Sequence, residues 1–507
     1  MQHAARLLLI ADTIQNMTKK IISIIPILLG IAFCAFAKPK PDLQYQLKYT
    51  NNRMVHVTLI YTPPEKDSTT FTYGEPNFGG QWDILKCIAN VEVLGPARLR
   101  TDKASRSFTI FYSGEKPVKL EYDIVDTTTK KKDLRQELFR PIISNNYFYS
   151  HGINLFLNPQ FKNKDLKPTM SIEWLQRPNF PIFYGFDPEN GGKKKLISTV
   201  DSVMFSLITG ATDLSIDKFE LHGVKNYIVL RGLSKDNFNR QAIRNYFTQF
   251  NESIRSFWND YSDKCFSLVL QPFLESDHDV AGVAFANGFI GKYTADTILN
   301  AKRIYTISHE IGHHWIGHKL EMNISNQWFD EGFNDYITFN ALLRAGLLTP
   351  TAFENRMNEV FTLHYSSAIR NTPNDSVFAN YWKMGDYNKL PYRRGCIFAF
   401  YLDNQIRLAS RGQKTIRDLL RSLAEFRKGK PAKYEITVED FIKVTSALLP
   451  KAAVESAIED YIIKGNPIIF SNDMLIPEFK VSVEKGIPHI KIVDEKKFRL
   501  AFYSIHD

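Results

Sequence analysis

Two imidazoles and a carboxylate stand together in the run His309-Glu310-Ile311-Gly312-His313, and a second carboxylate follows in Trp328-Phe329-Asp330-Glu331-Gly332-Phe333. Residues four apart share one face of a helix, so His309 and His313 can grip a single metal ion. Glu310 then points beside that ion, placed to take a proton from water. Glu331 supplies a third ligand from a second element. The fourth position stays open for water, as catalysis requires and a closed structural site forbids. These types and spacings imply one Zn2+ per chain, held by His309, His313 and Glu331, with Glu310 as the base.

Such a site needs two helices facing one another. Ile304, Ile307, Ile311 and Trp315 form an apolar stripe at helical spacing, opposite the two histidines. That helix can pack one side into a core while its imidazoles face a cleft. Asp330 reads as the N-cap of the second helix, Glu331 as part of its first turn, and Gly346 with Pro350 as its stop. His314 and His318 are also four apart, but Trp315 stands beside them where a base would be needed. They read as neighbours of the site or surface histidines, not as ligands.

The rest of the chain must carry these helices. Its 507 residues allow two to four domains, and 44% hydrophobic content is ample for packed cores. From Lys38 to about Val200, short alternating runs such as Met54 to Tyr61, Ser107 to Tyr112 and Ile153 to Leu157 predict strands. This first β-rich domain, 38–200, holds no catalytic cluster, and His151 reads as a core or edge residue. In 201–349, strands at Tyr227 to Leu230 and Phe266 to Leu270 flank a helix from about Arg240 to Tyr261, making a mixed α/β zinc domain. Residues 350–467 read as helical, for instance Thr415 to Arg427 and Ala452 to Ile463. In 468–507 strands return at Phe479 to Val483 and Ile490 to Val493, with a turn at Lys485-Gly486. The expected class is α+β and multidomain.

The formal charge is +10; Arg6, Lys19 and Lys20 against Asp12 account for +2 in residues 1–37, leaving +8 for the remainder. The runs Lys130-Lys131-Lys132 and Lys193-Lys194-Lys195 sit in polar, turn-like stretches and read as solvated loops. No nucleic-acid motif accompanies them, so the expected partner is a peptide or protein substrate, and oligomeric state is not set. Lys19-Lys20, the apolar run Ile21 to Phe33 and Ala35-Phe36-Ala37 compose a signal peptide, 1–37, with Met17 as an alternative start of translation. Phe33 is too bulky for a lipid attachment site at Cys34. Cleavage after Ala37 makes the expected mature chain exported, periplasmic or secreted; retention of the segment would leave a membrane anchor. Cys87, Cys265 and Cys396 then remain, too few and too scattered for a disulfide framework, and buried thiols are expected.

At this point the chain resembles the gluzincin metallopeptidases of the aminopeptidase clan, and most closely the glycyl aminopeptidase family, over most of residues 40–475. The resemblance is carried by Asn146-Tyr147-Phe148-Tyr149-Ser150-His151-Gly152 with Leu155-Phe156-Leu157, by Trp315, by Trp328 to Phe333 with Arg344-Ala345-Gly346-Leu347, and by Pro391-Tyr392-Arg393-Arg394-Gly395-Cys396. It implies a thermolysin-like zinc domain and exopeptidase action on N-termini. It also implies that Tyr392, rather than nearby Tyr387, is the tyrosine that supports the oxyanion. The chain departs from the pattern in two places. Seventeen residues separate His313 from Glu331, fewer than in glycyl aminopeptidases. The counterpart of the clan's substrate strand, Gly282-Val283-Ala284-Phe285-Ala286-Asn287, lacks the glutamate that binds a free amine. Gly282, Val283 and Ala284 can still pair with an extended substrate through the backbone. Glu275, Asp277 and Asp279 are acidic but lie away from the expected place. Endopeptidase or oligopeptidase action, or a silent peptide-binding scaffold, are therefore the alternatives. The chain also ends before the PDZ-like domain often found in this family.

Overall fold

The computed structural model describes residues 42–503 apart from 51–52, 76–79, 115, 129–132, 164, 233–238, 276–278, 295–298, 382, 384 and 432–433. The expected signal segment, the run Lys130-Lys131-Lys132 and Asp277 lie outside the described residues. Among the described residues no helix is long and apolar enough to cross a membrane.

Alternation builds the first half. Leu43–Thr50 and Met54–Tyr61 pair antiparallel, and Leu43, Tyr45 and Leu47 turn inward with Val55, Val57 and Leu59, all buried. They centre a six-stranded sheet flanked by Thr169–Gln176 and Lys195–Thr199 on one side and Val118–Val125 and Ile88–Leu94 on the other. A second sheet contains Ser68–Thr72 and Ser107–Phe111; a third contains Tyr147–His151 and Leu207–Ala211. The expected strand Ile153 to Leu157 is absent. A 3-10 turn, Gly152–Asn154, leads into a loop whose Leu155, Phe156 and Leu157 are fully buried. A run buried on every side has no solvent face, so its apolar residues carry no strand period. His151 is a core histidine, its Nε2 3.1 Å from the Leu138 carbonyl.

The next sheet has five strands, in the order Ser215–Leu221, Val224–Leu230, Cys265–Pro272, Gly288–Tyr293, Val280–Phe285. Val224–Leu230 and Cys265–Pro272 run parallel, which requires a crossover, and the helix Arg240–Trp258 supplies it. Strand period then splits the burial. Tyr227 and Val229 pack toward the third β-sheet with Tyr147, Tyr149 and Phe183, whereas Ile228 and Leu230 join the core of the following helices. Ile307, Ile311 and Trp315 belong to that same core, so the apolar stripe of the histidine helix lies on the sheet side.

The C-terminal part is helical, as expected. Pro350–Tyr365 packs against Gly385–Ala409, and Ile416–Lys428 begins with a capping box of Thr415 and Asp418. The tail pairs Phe479–Glu484 with Ile487–Ile492; Lys485 and Gly486 both take positive φ, as a two-residue hairpin turn demands. A last helix, Glu495–Tyr503, follows that the strand reading of the tail did not include. Phe498 and Phe502, one turn apart, bury themselves against Phe353 and Phe479. Cys87, Cys265 and Cys396 are free thiols, the first and last buried and Cys265 half-buried.

Candidate metal centre and active site

His309 and His313 lie at the end of the helix Ala301–Gly312, and Glu331 faces them from the turn ahead of the helix Asn334–Arg344. The two Nε2 atoms are 3.1 Å apart, and Glu331 Oε2 is 3.2 Å from the first and 3.4 Å from the second. The opposite ring nitrogens decide what these atoms are. His309 Nδ1 is 2.7 Å from Asp335 Oδ1, and His313 Nδ1 is 3.0 Å from the Ile316 carbonyl. A proton on each Nδ1 suits these neighbours and leaves each Nε2 a lone pair to offer a cation. Two lone pairs and a carboxylate converge. That is an arrangement for a cation. The edges of a tetrahedral site with zinc–ligand bonds near 2.0–2.2 Å are about 3.3–3.6 Å, so the triad fits such an ion with a small outward adjustment.

The local sequence explains the convergence. Trp328–Phe333 is a π-turn continuing into the next helix, and Trp328, Phe329 and Phe333 are fully buried. Asp330, expected as an N-cap, therefore lies inside the turn and caps nothing. Its Oδ1 is buried without a partner, and burial pushes its carboxyl pKa well up. A cap is worth about 1 kcal/mol, and burying each large aromatic ring stabilises by more, so the rings set where the turn begins. Gly346, with φ +71°, ends the helix as expected, and Pro350 starts the next. Two close approaches lock the parts. A Cβ on Gly312 would meet Asn334 Oδ1 at 2.2 Å, and Asn334 Nδ2 donates to the His309 carbonyl at 2.7 Å. A Cβ on Gly395 would meet the Trp328 carbonyl oxygen at 1.8 Å, and one on Gly332 would meet Gly395 Cα at 2.4 Å.

That second crossing brings in Tyr392, which sits on the helix Gly385–Ala409. Its ring stacks on His309 with centroids 5.8 Å apart and 22° between planes. Burial, then the Glu331 charge, push its pKa well up, so the phenol keeps its proton. Glu310 lines the same cavity of about 350 Å³ with His309, Asp335 and Tyr392, and burial raises its carboxyl above the usual range. Tyr387 is not among the residues lining that cavity.

Sequence reasoning passed over two residues here. Asp335 lies four residues after Glu331 on the same helix face, a spacing that could have revealed it as the partner of His309. Tyr381 is hydrogen-bonded to Tyr392 and feels the Glu331 charge, with burial raising its pKa most. No spacing or motif links it to Tyr392. Gly282, Val283 and Ala284 belong to Val280–Phe285, the edge strand of the five-stranded sheet, half-buried and with no strand paired on its outer side among the described residues. Gly282 is required by close packing, since a Cβ there would meet the Phe289 ring at 2.1 Å. Asp279 is bound to Arg303 at 2.8 Å. His314 turns away to Asp263, 2.7 Å from its Nε2, and His318 is exposed.

The fold is that of the M1 zinc metallopeptidases of the aminopeptidase clan. The chain superposes on an aminopeptidase N family protein from Idiomarina loihiensis with a TM-score of 0.70 and 15% identity, over 87% of this chain and 79% of that one. An M1 zinc metallopeptidase from Deinococcus radiodurans gives 0.52 at 12% identity, over 84% and 94%. A mutant of the Deinococcus protein bound to a Tyr-Ser-Ala substrate gives 0.52 at 12% identity, with the same coverage. No family model matches the chain, and no curated protein does.

Proposed function

We propose that this chain is an exported zinc peptidase, aminopeptidase-like and nearest in its motifs to the glycyl aminopeptidases. The observation that carries the reading is the convergence of two imidazole lone pairs and the Glu331 carboxylate beside an uncommitted carboxyl and a protonated phenol. His309, His313 and Glu331 hold one Zn2+, which when bound lowers the pKa of water and polarises the substrate carbonyl. Glu310, with its raised pKa, takes the proton from water as the oxygen adds to the carbonyl carbon. The carbon–nitrogen bond then breaks, and Glu310 returns that proton to the leaving amine. Tyr392 donates its hydroxyl hydrogen to the oxyanion, a charge present only as the transition state forms. Asp335 keeps His309 in the tautomer that binds metal. The peptide lies along the edge strand at Gly282, Val283 and Ala284, pairing by backbone hydrogen bonds.

One observation favours a variant of this reading. Of the carboxylates lining the cavity, Glu310 and Asp335 have roles in the chemistry, and Glu359 is paired with Arg356 at 2.8 Å. No described carboxylate there is left for a free amine, which favours oligopeptidase action. Mass-spectrometric profiling of a mixed peptide library by the zinc-loaded chain, with Glu310→Gln as control, separates the cases. Loss of single N-terminal residues is the aminopeptidase outcome, and internal cuts are the oligopeptidase outcome. Absence of cutting by metal-loaded native protein that still binds peptides would overturn the peptidase reading in favour of a silent scaffold.

A further inference from the structure

The cavity beside His309 is uneven in charge. The histidine helix contributes Tyr305, His309 and Glu310, and the helix Pro350–Tyr365 contributes Arg356, Glu359, Val360 and Leu363, spaced three and four apart on one face. Lys389, Tyr392 and Arg393 come from the helix Gly385–Ala409. Arg356 is accounted for, since it pairs with Glu359 and covers the Tyr305 ring at 5.7 Å. Lys389 and Arg393 are not. Lys389 Nζ lies 4.7 Å from the centre of the Tyr392 ring, and Arg393 gives one hydrogen bond to the Leu363 carbonyl at 3.2 Å. Among the described residues neither has a carboxylate partner.

Two cations four apart on one helix face repel each other and weaken the helix slightly. Here they flank Tyr392 in a cavity that also holds the apolar Phe339, Val360 and Leu363, and whose carboxylates, Glu310, Asp335 and Glu359, are none of them bonded to either cation among the described residues. We infer that Lys389 and Arg393 bind a carboxylate of the peptide substrate, which makes short acidic peptides the preferred substrate class. This rests on the peptidase reading above. The volume of about 350 Å³ is near the lower end for ligand pockets and suits one or two residues, not a long chain. The carboxylate has two sources, the C-terminus of a short peptide or an Asp or Glu side chain. The lysine's point charge accepts either, and the planar Arg393 fork can grip both oxygens.

The test compares kcat/KM of the zinc-loaded chain for Ala-Ala-Ala as free acid and as amide, and for Ala-Asp-Ala amide and Ala-Asn-Ala amide. Hydrogen bonds to a charged group predict a preference of roughly tenfold or more for one member of a pair. The acid/amide pair reports a C-terminal source, and the Asp/Asn pair a side-chain source. In Lys389→Met and Arg393→Gln chains, checked for native melting, that ratio falls toward one. Equilibrium binding of the same four peptides to zinc-loaded Glu310→Gln gives a readout independent of turnover. Cleavage without preference in either pair overturns carboxylate recognition and leaves the peptidase standing. Absence of cleavage, with acidic peptides still bound tighter, overturns the peptidase and leaves carboxylate recognition standing. Absence of both overturns both.

Discussion

Two buried imidazole–carboxylate groups meet at the end of the histidine helix, His309 in its last turn and His314 just past its end, and they are built on opposite charge arrangements. At His314 a single carboxylate, Asp263, is surrounded by donors: His314 at 2.7 Å, Arg255 at 2.9 Å and Lys319 at 3.0 Å. At His309 the sense is reversed, with two ring nitrogens and Glu331 all offering lone pairs to one point. The charges of the first cluster are paired within the protein. The second needs a cation from outside. Helix spacing alone does not separate the pairs His309 and His313 from His314 and His318. The bond made by the other ring nitrogen and the sign of the facing residues do.

The largest test of this contrast is Glu310→Gln. It is expected to retain zinc by elemental analysis while kcat falls roughly a thousandfold, because a proton acceptor is removed and the lone-pair triad is untouched. Undiminished turnover would separate the triad from any hydrolytic role. Next comes Asp263→Asn, which breaks the paired cluster. It is expected to cost about 3 kcal/mol of stability in urea unfolding while zinc content stays at the native level, since buried Arg255 loses its carboxylate partner while Lys319 keeps Asp260 at 2.5 Å. Burial opposes the Asp263 charge, but His314, Lys319 and Arg255 outweigh it and hold the carboxyl well below its usual range. A depressed carboxyl contributes stability that is present above its unfolded pKa of about 3.9 and is lost as pH falls below that. The Asn variant should therefore lose less stability than the native chain between pH 5 and strongly acidic solution. A parallel decline in both chains would remove Asp263 from the argument.

Tyr392→Phe is smaller, a drop in kcat of about a hundredfold with little change in KM, read by steady-state kinetics. A raised KM with unchanged kcat would make the phenol a ground-state contact only. The smallest effect is Asp335→Asn. An amide can present its oxygen to His309 Nδ1–H but holds it less firmly, so zinc affinity should fall about tenfold in competition with a chelator. Equal affinity would mean that the helix alone fixes the His309 ring.

The parts of this site visible in the sequence are those fixed by local periodicity. His309 and His313 share a face because of helix pitch, and Gly346 and Pro350 bound a helix through backbone preferences that need no neighbour. Asp335 obeyed the same pitch from Glu331 but offers no motif of its own. Tyr392 was reachable only through resemblance, since nothing between residues 331 and 392 dictates that their helices meet. Asp330 misled because its type favours a cap, and the burial of Trp328 and Phe329 overrode that preference. Ile153 to Leu157 misled for the converse reason, being apolar throughout and buried without a sheet. Lys389 and Arg393 were plain in the sequence as charges, but only the packed helices bring them to one cavity.

The crossing of Gly332 and Gly395 sets the gauge of the reaction chamber. Because main chain rests on main chain there, the separation of Glu331 from Tyr392 does not depend on how side chains repack around Phe333 and Phe398. Core substitutions can soften the surroundings without moving these two groups apart. One added carbon at either glycine acts as a shim, widening the chamber throughout its depth, so that a single methyl group would detune ligand and phenol at once.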